Sequence, residues 1–411
     1  MAVTQRSSLI GLFKPAARSD PYALYRRLRE AEPVYWDNAL QSWVVLRHAD
    51  IVALTKEERL SEDRVTPFFD QLPADKQKSM RPLVAALSDM MLFNDPPRHT
   101  RLRGQFRKAF TPRFVARLDG DIAERVATLL DAVAEKPVFD LVADVSAPLS
   151  SGVIAGMLGL PAHATNLLAG WTSLLHEFFM QSEREVDRVV RLRAVFDTEI
   201  EGRRACPAHD LLGAMAEAMA TGATLTEDEM YAAFLLLIDA GQVTTTHFAA
   251  NAVRALMLHR EQWELLRARP ELVPGAVLEL LRWDSSIQFT NRVATIDLEV
   301  GGRTIPAGSS VTLVLGSGNR DPEVFADPDT LDVTRDAREQ LSLGHGAHYC
   351  LGGGLARREI EILLLGLLTR FPESTLVDTN FTWEDSINFR FLTGLPVSPG
   401  PGSRISAATP T

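Results

Sequence analysis

The chain has 411 residues, of which 46% are hydrophobic, and a formal net charge of -10 at pH 7. This length and apolar content allow a large buried core, and the acidic balance disfavours non-specific nucleic-acid binding. Two cysteines cannot build a disulfide framework, which indicates a reducing compartment. We expect no signal peptide and no membrane span, so the sequence predicts a cytoplasmic protein without a membrane partner.

Helical periodicity dominates the chain, and short strands interrupt it. The predicted helices cover residues 20–31, 48–56 and most of 99–220. Short strands are predicted at residues 34–36, 43–46, 298–300, 304–305, 310–315 and 374–377. Between residues 60 and 97 the pattern is weak and rich in proline, so we expect a long connecting loop. No linker is evident, which favours one domain over residues 1–411, mainly α with a small β region.

A long helix is predicted to begin after a capping box formed by Thr226 and Glu229. It continues to about residue 259, a length of roughly 50 Å at the usual rise per residue. Its apolar middle contains the run from Asp239 to Thr246, whose glycine and threonines are poor helix formers. A threonine can bond back to the preceding turn and bend a helix. A bend made for packing and a functional site explain this segment equally well.

Glycines crowd the stretch around Cys350, and a helix is predicted directly after it, over residues 355–371. Glycine lets the backbone approach a flat ligand closely, and a helix N-terminus favours negative charge on a nearby sulfur. A thiolate at Cys350 could bind a metal or attack an electrophile. The alternative is a buried structural cysteine, which is the commoner state of a lone cysteine.

The stretch around Cys350 resembles the haem-ligand loop of the cytochrome P450 family, F-G-x-G-x-H-x-C-x-G. Residues 343–352 read L-G-H-G-A-H-Y-C-L-G and depart only at Leu343, where the family has an aromatic residue. Residues 240–245 read A-G-Q-V-T-T and resemble the family's oxygen-activation motif, A-G-x-(D/E)-T-T. Val243 stands in place of the acid. This resemblance extends from about residue 20 to residue 397, and we expect residues 398–411 to form a flexible tail.

The resemblance implies a haem b cofactor with Cys350 as the axial ligand of its iron, and the long helix over the opposite face. In the family, Gly241 makes room for dioxygen and Thr244 hydrogen-bonds it. The resemblance also assigns propionate contacts to cationic or donor side chains at His99, Arg103, Arg292 and His348. Taken alone, the spacing of His99 and Arg103 is more typical of a solvated helix face.

Glu279 and Arg282 form an E-x-x-R motif, and the resemblance joins Arg335 to this pair as a buried ion network. Alone, the motif carries little information because such pairs are common on helices. The network is expected to be structural, so its loss should release haem.

Asp239 lies one turn before Val243 on the same helix face. It is predicted to bind a cationic or hydroxyl-bearing substrate, or to supply protons through water; pairing with an unidentified arginine is the alternative. The other expected pocket residues follow the E-x-x-R helix or precede the C-terminal LPV: Ile287, Gln288, Phe289 and Phe391. Further candidates are Phe178, Phe179 and Met180 for part of the lid, and Phe68 and Phe69 for the long early loop.

The implied function is that of a monomeric, ferredoxin-dependent monooxygenase that oxidises a mid-sized specialised metabolite. Two electrons come from a separate ferredoxin and its reductase, which we expect to dock on a basic patch formed by Arg98, Arg101, Arg107, Lys108, Arg113, Arg357 and Arg358. The loss of the acid at Val243 motivates a second hypothesis, an atypical oxidation such as phenol coupling, ring closure or peroxide-driven chemistry. A haem sensor without turnover is a third, which the retained Gly241 and Thr244 argue against.

Overall fold

A computed structural model describes residues 8–161, 174, 186–206, 208, 210–220, 225–386 and 388–400. About 59% of the structure is helical, which confirms the predicted fold class. In chain order, the helices α1 to α16 of the described residues are Pro15–Ser19, Tyr22–Ala31, His48–Leu54, Val65–Phe69, Ala74–Asp89, Arg98–Phe106, Pro112–Arg117, Asp119–Val133, Ala147–Leu158, Val186–Ala205, Leu211–Ala220, Glu227–Leu258, Arg260–Ala268, Val273–Trp283, Leu315–Gly318 and Gly353–Arg370.

Short strands form small sheets beside these helices. Strands β1 to β10 are Val34–Asp37, Ser42–Val45, Leu60–Ser61, Phe139–Asp140, Thr290–Ala294, Leu298–Val300, Arg303–Ile305, Ser310–Leu313, Thr375–Leu376 and Pro396–Ser398. One sheet has the order β1-β2-β8-β5-β3, a second has the order β4-β10-β9, and β6 pairs with β7. In the first sheet β2 runs parallel to β8, whereas β1 with β2 and β5 with β8 are antiparallel.

The chain forms two compact units. Unit 1 contains Met1–Leu60, Ile122–Ser146 and Thr245–Thr411, and unit 2 contains Ser61–Asp121 and Ala147–Thr244. The single domain predicted over residues 1–411 stays a prediction. Of the predicted tail, residues 401–411 lie outside the part of the chain that the structure describes.

Apolar side chains from strands and helices form the core of unit 1. One cluster lies against the first sheet and includes Val45, Ile51 and Leu313. A second cluster joins the N-terminal turn to α2 and includes Tyr25, which is fully buried. Burying apolar surface of this kind contributes about 25 cal/mol per Å² and holds the loops that follow these elements in place.

The prediction of a long loop over residues 60–97 is wrong. The segment contains α4 (Val65–Phe69) and α5 (Ala74–Asp89), and Pro82 lies inside α5. Proline is unusual in a helix interior because it lacks the N–H that would bond the preceding turn. Tertiary packing compensates here, since Met80, Leu83 and Leu87 on α5 are buried.

The long helix is α12, Glu227–Leu258, and it is continuous through the glycine and threonine segment. The predicted capping box is confirmed. The Glu229 N–H donates to Thr226 Oγ1 at 3.2 Å, and the Thr226 N–H donates to Glu229 Oε2 at 3.1 Å. These bonds satisfy two of the backbone donors that a helix N-terminus leaves without partners.

One segment, Leu141–Leu158, has a mean hydropathy of 1.5 and is long enough to cross a membrane by length and composition alone. From the sequence we expect no stretch that could span a membrane, and this segment departs from that expectation. Because 56% of the segment is buried within the structure, it also fits the core helix of a soluble protein, and it is weak support for a membrane span. The predicted cytoplasmic location stays a prediction.

Candidate functional site: the Cys350 loop and the long helix

Backbone hydrogen bonds close the loop that carries Cys350. The Cys350 N–H donates to the Leu343 carbonyl at 2.7 Å, and the Tyr349 N–H donates to the Gly346 carbonyl at 3.2 Å. Gly346 has a φ of +68°, and a Cβ there would lie 2.7 Å from the Thr55 carbonyl oxygen. The loop therefore needs glycine at position 346 for both conformation and space.

The sulfur-bearing side chain lies just before the start of α16, whose first residue is Gly353. Cys350 is exposed, and so is Cys206. Leu343, at the position of the family's aromatic residue, is 9% exposed and packs inside the loop. The positive end of the α16 dipole favours an anion at this position, which suits a thiolate.

Glu279, Arg282 and Arg335 are brought together in unit 1. Arg282 donates to both carboxylate oxygens of Glu279, at 2.6 and 2.8 Å, and Arg335 Nε donates to Glu279 Oε1 at 3.2 Å. Glu279 and Arg282 are fully buried. Arg282 also donates to the carbonyls of Asn319 and Pro328, so the network ties α14 to the segment that follows α15.

Asn319, which was not singled out from the sequence, extends this network to the start of the Cys350 loop. Its Nδ2 donates to Ser342 Oγ at 2.9 Å, and its Oδ1 accepts the Leu341 N–H at 2.7 Å. Ser342 Oγ donates in turn to the Leu281 carbonyl on α14. The buried ion network and the loop are thus joined through one amide side chain that is fully buried.

Two of the expected haem contacts lie in unit 1. Arg292 is on β5, is 8% exposed, and donates from Nη1 to Thr290 Oγ1 at 2.9 Å and to the Asn291 carbonyl at 2.7 Å. His348 ends a short 3-10 turn, Gly346–His348, two residues before Cys350. The structure therefore places a cation on the sheet and an imidazole within the loop itself.

The other two expected haem contacts share one face of α6 in unit 2. His99 is 2% exposed, and Arg103 follows it by one turn. Burial lowers the pKa of His99, and the positive charge of Arg103 lowers it further. A neutral imidazole can still donate one N–H, so this pair offers both a hydrogen-bond donor and a positive charge.

On α12, Thr244 Oγ1 donates to the Ala240 carbonyl one turn earlier at 2.7 Å, which is the predicted back-bond. A Cβ on Gly241 would lie 2.3 Å from Ile154 Cδ1, so a larger residue here would force the Ile154 side chain in unit 2 to move. Val243, at the position of the family's acid, is 6% exposed. The segment keeps the alcohol and loses the carboxyl group.

Asp239 is half-buried, and its Oδ1 accepts the Leu174 N–H at 2.8 Å. A hydrogen bond from a backbone N–H stabilises the ionised carboxylate. Pairing of this carboxylate with an arginine, the alternative given for Asp239, stays a prediction.

One predicted pocket residue, Phe391, belongs to an aromatic stack in unit 1, and a second, Ile287, is joined to that stack by a β-bridge. Phe391 stacks on Phe389 at 4.8 Å, and Phe389 forms a β-bridge with Ile287. The stack has a member that sequence reasoning missed, His247, which lies 4.1 Å from Phe391 with the rings 13° from parallel. Burial lowers the pKa of His247 to about 4. The signal for it was its position three residues after Thr244, on the same helix.

The remaining predicted pocket residues have other surroundings. Gln288 is 2% exposed and donates to the Ser285 carbonyl and to the Tyr22 hydroxyl, and Phe289 packs in the hydrophobic cluster of α2. Their role in a pocket stays a prediction. Phe68 and Phe69 end α4 and are half-buried. The proposed lid residues Phe178, Phe179 and Met180 lie outside the described residues.

The predicted basic patch is smaller than the sequence indicates. Arg98 pairs with Asp89 and Glu229, and Arg101 binds Glu229 through two hydrogen bonds. Arg358 pairs with Glu361 in unit 1. These three cations therefore have acidic partners within their own unit, and the docking patch stays a prediction. Arg107 and Arg113 are exposed and Arg357 is half-buried, and the side chain of Lys108 lies outside the described ones.

Comparison with known proteins identifies the family. The family model described as Cytochrome P450 matches residues 166–386. A "Biotin biosynthesis cytochrome P450" of Bacillus subtilis is 36% identical, covering 92% of this chain and 96% of that protein. The "Cyclomarin C epoxidase CymV" of Salinispora arenicola is 38% identical, covering 84% of this chain and 87% of the relative.

The fold comparison agrees with the sequence comparison. The solved structure "Epothilone B-bound Cytochrome P450epoK" has a TM-score of 0.87 and 30% identity, with 95% of this chain and 99% of that chain covered. Proteins of this family bind haem b through a cysteine thiolate, and the relatives are bacterial oxidoreductases of biosynthetic pathways. The chain therefore belongs to the cytochrome P450 family of haem-thiolate monooxygenases.

Proposed function

We propose that the protein oxidises a mid-sized specialised metabolite with O2 and two electrons delivered by a ferredoxin, most simply by hydroxylation. The observation that carries this proposal is the closed loop around Cys350, with its sulfur exposed beside a helix N-terminus. One relative is named a cyclomarin C epoxidase, and one similar solved structure has epothilone B bound. We infer a specialised metabolite of similar class as the substrate here.

The residues present fit a haem. Cys350 would bind the iron, and His99, Arg103, Arg292 and His348 would contact the propionates. Arginine and histidine donors suit carboxylates, and Arg292 and His99 are held by buried surroundings. When bound, haem with thiolate ligation supplies the activation of O2 that C–H oxygenation requires. The Glu279 network holds the loop in place, so its role is structural.

On the long helix, Thr244 carries the hydroxyl group that we assign to holding O2 and passing protons. Its hydrogen bond to the Ala240 carbonyl orients this hydroxyl. Val243 cannot relay a proton, so the source must be water or another side chain. Asp239, one helical turn from Val243, is the nearest carboxylate on that face, and its bond to Leu174 supports an ionised group.

Replacing Cys350 tests the proposal directly. Cys350→Ala in the full chain should abolish the red-shifted Soret band of the reduced carbon-monoxide complex, because that band depends on thiolate ligation. Cys206→Ser is the matched control, since it also removes an exposed cysteine and should leave the band unchanged. Retention of the band in Cys350→Ala, or its loss in both variants, would overturn the assignment.

The role of Asp239 is tested by Asp239→Asn, which keeps the size of the side chain and removes its charge. We expect a higher dissociation constant in Soret-shift titrations, or more reducing equivalents lost as peroxide per product formed. Glu227→Gln, an acidic residue at the exposed start of α12, is the control for charge alone. If Asp239→Asn changes neither quantity, Asp239 has no part in the site.

Ferredoxin dependence has its own test. Arg107, Arg113 and Arg357 are the arginines of the predicted patch for which no ion pair is found among the described residues. Charge-reversal at Arg113 should slow reduction by ferredoxin at low salt, and raising the ionic strength should shrink the difference. An equal rate at all salt concentrations would contradict docking at this position.

The atypical oxidation remains a second candidate because Val243 is buried and apolar where the family has an acid. Peroxide bypasses the need for relayed protons and external electrons. Product formation with hydrogen peroxide alone, at a rate equal to that with ferredoxin, would favour this candidate. Val243→Asp should then raise ferredoxin-driven turnover without raising peroxide-driven turnover. The third hypothesis, a haem sensor, is not supported because the relatives are enzymes.

A further inference from the structure

Unit 1 contains a cavity of about 270 Å³ that none of the residues assigned above to haem, oxygen or substrate lines. Its walls come from α2 and the residues just before it, the end of α12, the end of α14, the segment that follows α15, and the last loop before β10. The lining residues that matter here are charged: Asp20, Arg26, Arg254, Asp284, Arg320, Asp329 and Arg390. Four guanidinium groups thus face three carboxylates, which leaves an excess of positive charge.

Two of the three carboxylates, Asp284 and Asp329, each pair with two arginines. Asp284 accepts hydrogen bonds from Arg254 Nη1 at 3.1 Å, from Arg390 and from the Tyr22 hydroxyl. Asp284 is 3% exposed and Arg390 is 6% exposed, so this cluster is buried. Neutralising one carboxylate with two guanidinium groups leaves a net positive charge in a region of low dielectric.

The same arrangement recurs at the other end of the cavity. Asp329 pairs with Arg26 at 2.6 Å and with Arg320 at 3.1 Å. Arg320 is 5% exposed, whereas about half of the Arg26 side chain is exposed and reaches the solvent side. Counting Asp20, which acts on Arg254, the cavity as a whole has one more arginine than aspartate.

Donor groups remain unused at this site. Nε of Arg254 and Nε of Arg320 are buried and have no hydrogen-bond partner among the residues that the structure describes. For Arg254 the described contacts include one hydrogen bond, from Nη1, so Nη2 is also available. Burial lowers the pKa of both arginines, and the nearby carboxylates oppose that shift.

Aromatic rings hold the guanidinium planes in fixed positions. Arg320 lies 3.6 Å from the centroid of the Trp283 ring and 4.3 Å from that of Tyr22. Arg254 lies 4.5 Å from the centroid of Phe381. Stacked arginines lose little freedom on binding a ligand, so their remaining N–H groups are pre-organised donors.

We propose that this cavity binds a small oxyanion, a ligand that presents a phosphate or a carboxylate group to Arg254 and Arg26. Both groups match the planar fork of arginine and would balance the excess positive charge. The volume is below the roughly 300–1,000 Å³ of a drug-sized site, so the ligand is small. The site is separate from the proposed oxidation and does not depend on it.

Thermal unfolding of the haem-loaded full chain tests the proposal without any turnover. The melting temperature is followed as sodium phosphate or sodium succinate is added, while sodium chloride keeps the ionic strength constant. We expect a saturable rise of about 2–5 °C with at least one of the two anions. The anion that gives the lower half-saturation concentration identifies the phosphate or the carboxylate as the preferred group.

Substitutions of the cavity arginines test whether the rise in melting temperature comes from anion binding in the cavity. Arg254→Gln should raise the half-saturation concentration at least about tenfold, which corresponds to the loss of one charged hydrogen bond. Arg26→Gln, at the more exposed end of the cavity, is the alternative cavity variant if Arg254→Gln does not fold. Arg267→Gln removes an equal charge from an exposed ion pair outside the cavity and should change nothing. A rise no larger than that with chloride, or one equal in native protein and both cavity variants, would overturn the proposal.

Discussion

Two glutamates of this protein each bind two arginines, and the two networks differ in burial. In unit 1, Glu279 and its partner Arg282 are fully buried, and Arg335 is 14% exposed. In unit 2, Glu229 is 6% exposed, but Arg98 and Arg101 are 38% and 35% exposed. The same carboxylate–guanidinium pairing therefore occurs in a buried and in a partly exposed environment. Breaking the buried network should cost more unfolding free energy than breaking the exposed one.

The two glutamates also differ in the structural elements that they connect. Glu279 is inside α14 and connects it to the segment before the Cys350 loop, whereas Glu229 caps the start of α12. Both networks join elements distant in sequence, but only the E-x-x-R network connects to the segment before the Cys350 loop. We therefore expect the loss of Glu279 to affect the haem loop and the loss of Glu229 to affect helix stability.

Glu279→Gln should have the largest effect. It leaves the buried guanidinium of Arg282 without a compensating charge, which costs about 3–5 kcal/mol of unfolding free energy. Urea denaturation measures this loss, and the haem content of the purified protein should fall in parallel. Glu229→Gln is the matched control, with an identical change in the exposed network. Equal losses in the two variants would contradict the role of burial.

Asn319→Ala should have the next largest effect. It removes the hydrogen bonds to Ser342 Oγ and to the Leu341 N–H, and we expect a loss of about 2–3 kcal/mol. The faster release of haem to apomyoglobin is the measurement that reports on the loop. An Asn319→Ala variant that retains haem at the native rate would show that Asn319 does not couple the network to the loop.

Glu229→Gln should cost about 1–2 kcal/mol at neutral pH, a value reduced because its arginine partners are partly exposed. Hydrogen bonds from Arg101 hold the pKa of Glu229 at about 2, against an ordinary value of 4.5. A lowered pKa stabilises the fold above pH 4.5 and this contribution is lost as the pH falls towards 2. The difference between native protein and variant, measured by urea denaturation, should therefore shrink over that range and stay constant above it.

Arg98→Gln should have the smallest effect, below about 1 kcal/mol, because its side chain is partly exposed and Arg101 still neutralises Glu229. Arg101→Gln is the comparison, since it removes the two shorter hydrogen bonds, at 2.6 and 2.9 Å. Urea denaturation of the two variants compares their losses of unfolding free energy. A larger loss for Arg98→Gln would show that its additional pairing with Asp89 controls this network.

Local patterns in the sequence predicted much of this structure. The capping box at Thr226 and the glycines around Cys350 impose their geometry over a few residues, so spacing alone identifies them. The partners of Arg98 and Arg101 could not be predicted in this way, because Glu229 is more than a hundred positions away in sequence. Neither could the stack of His247 on Phe391, since nothing local determines which side chain approaches an imidazole. Pro82 concealed α5 because tertiary packing overrides the local preference.

The contact between Gly241 and Ile154 has a consequence for natural variation. A methyl group at position 241 would meet Ile154 Cδ1 at 2.3 Å, so the two positions share one small volume. Ile154 Cγ1 would lie at 2.9 Å, so alanine at 241 becomes acceptable when the partner is shortened to alanine. Related chains should therefore show correlated changes at these two sites, and an engineer who enlarges one should trim the other in the same step.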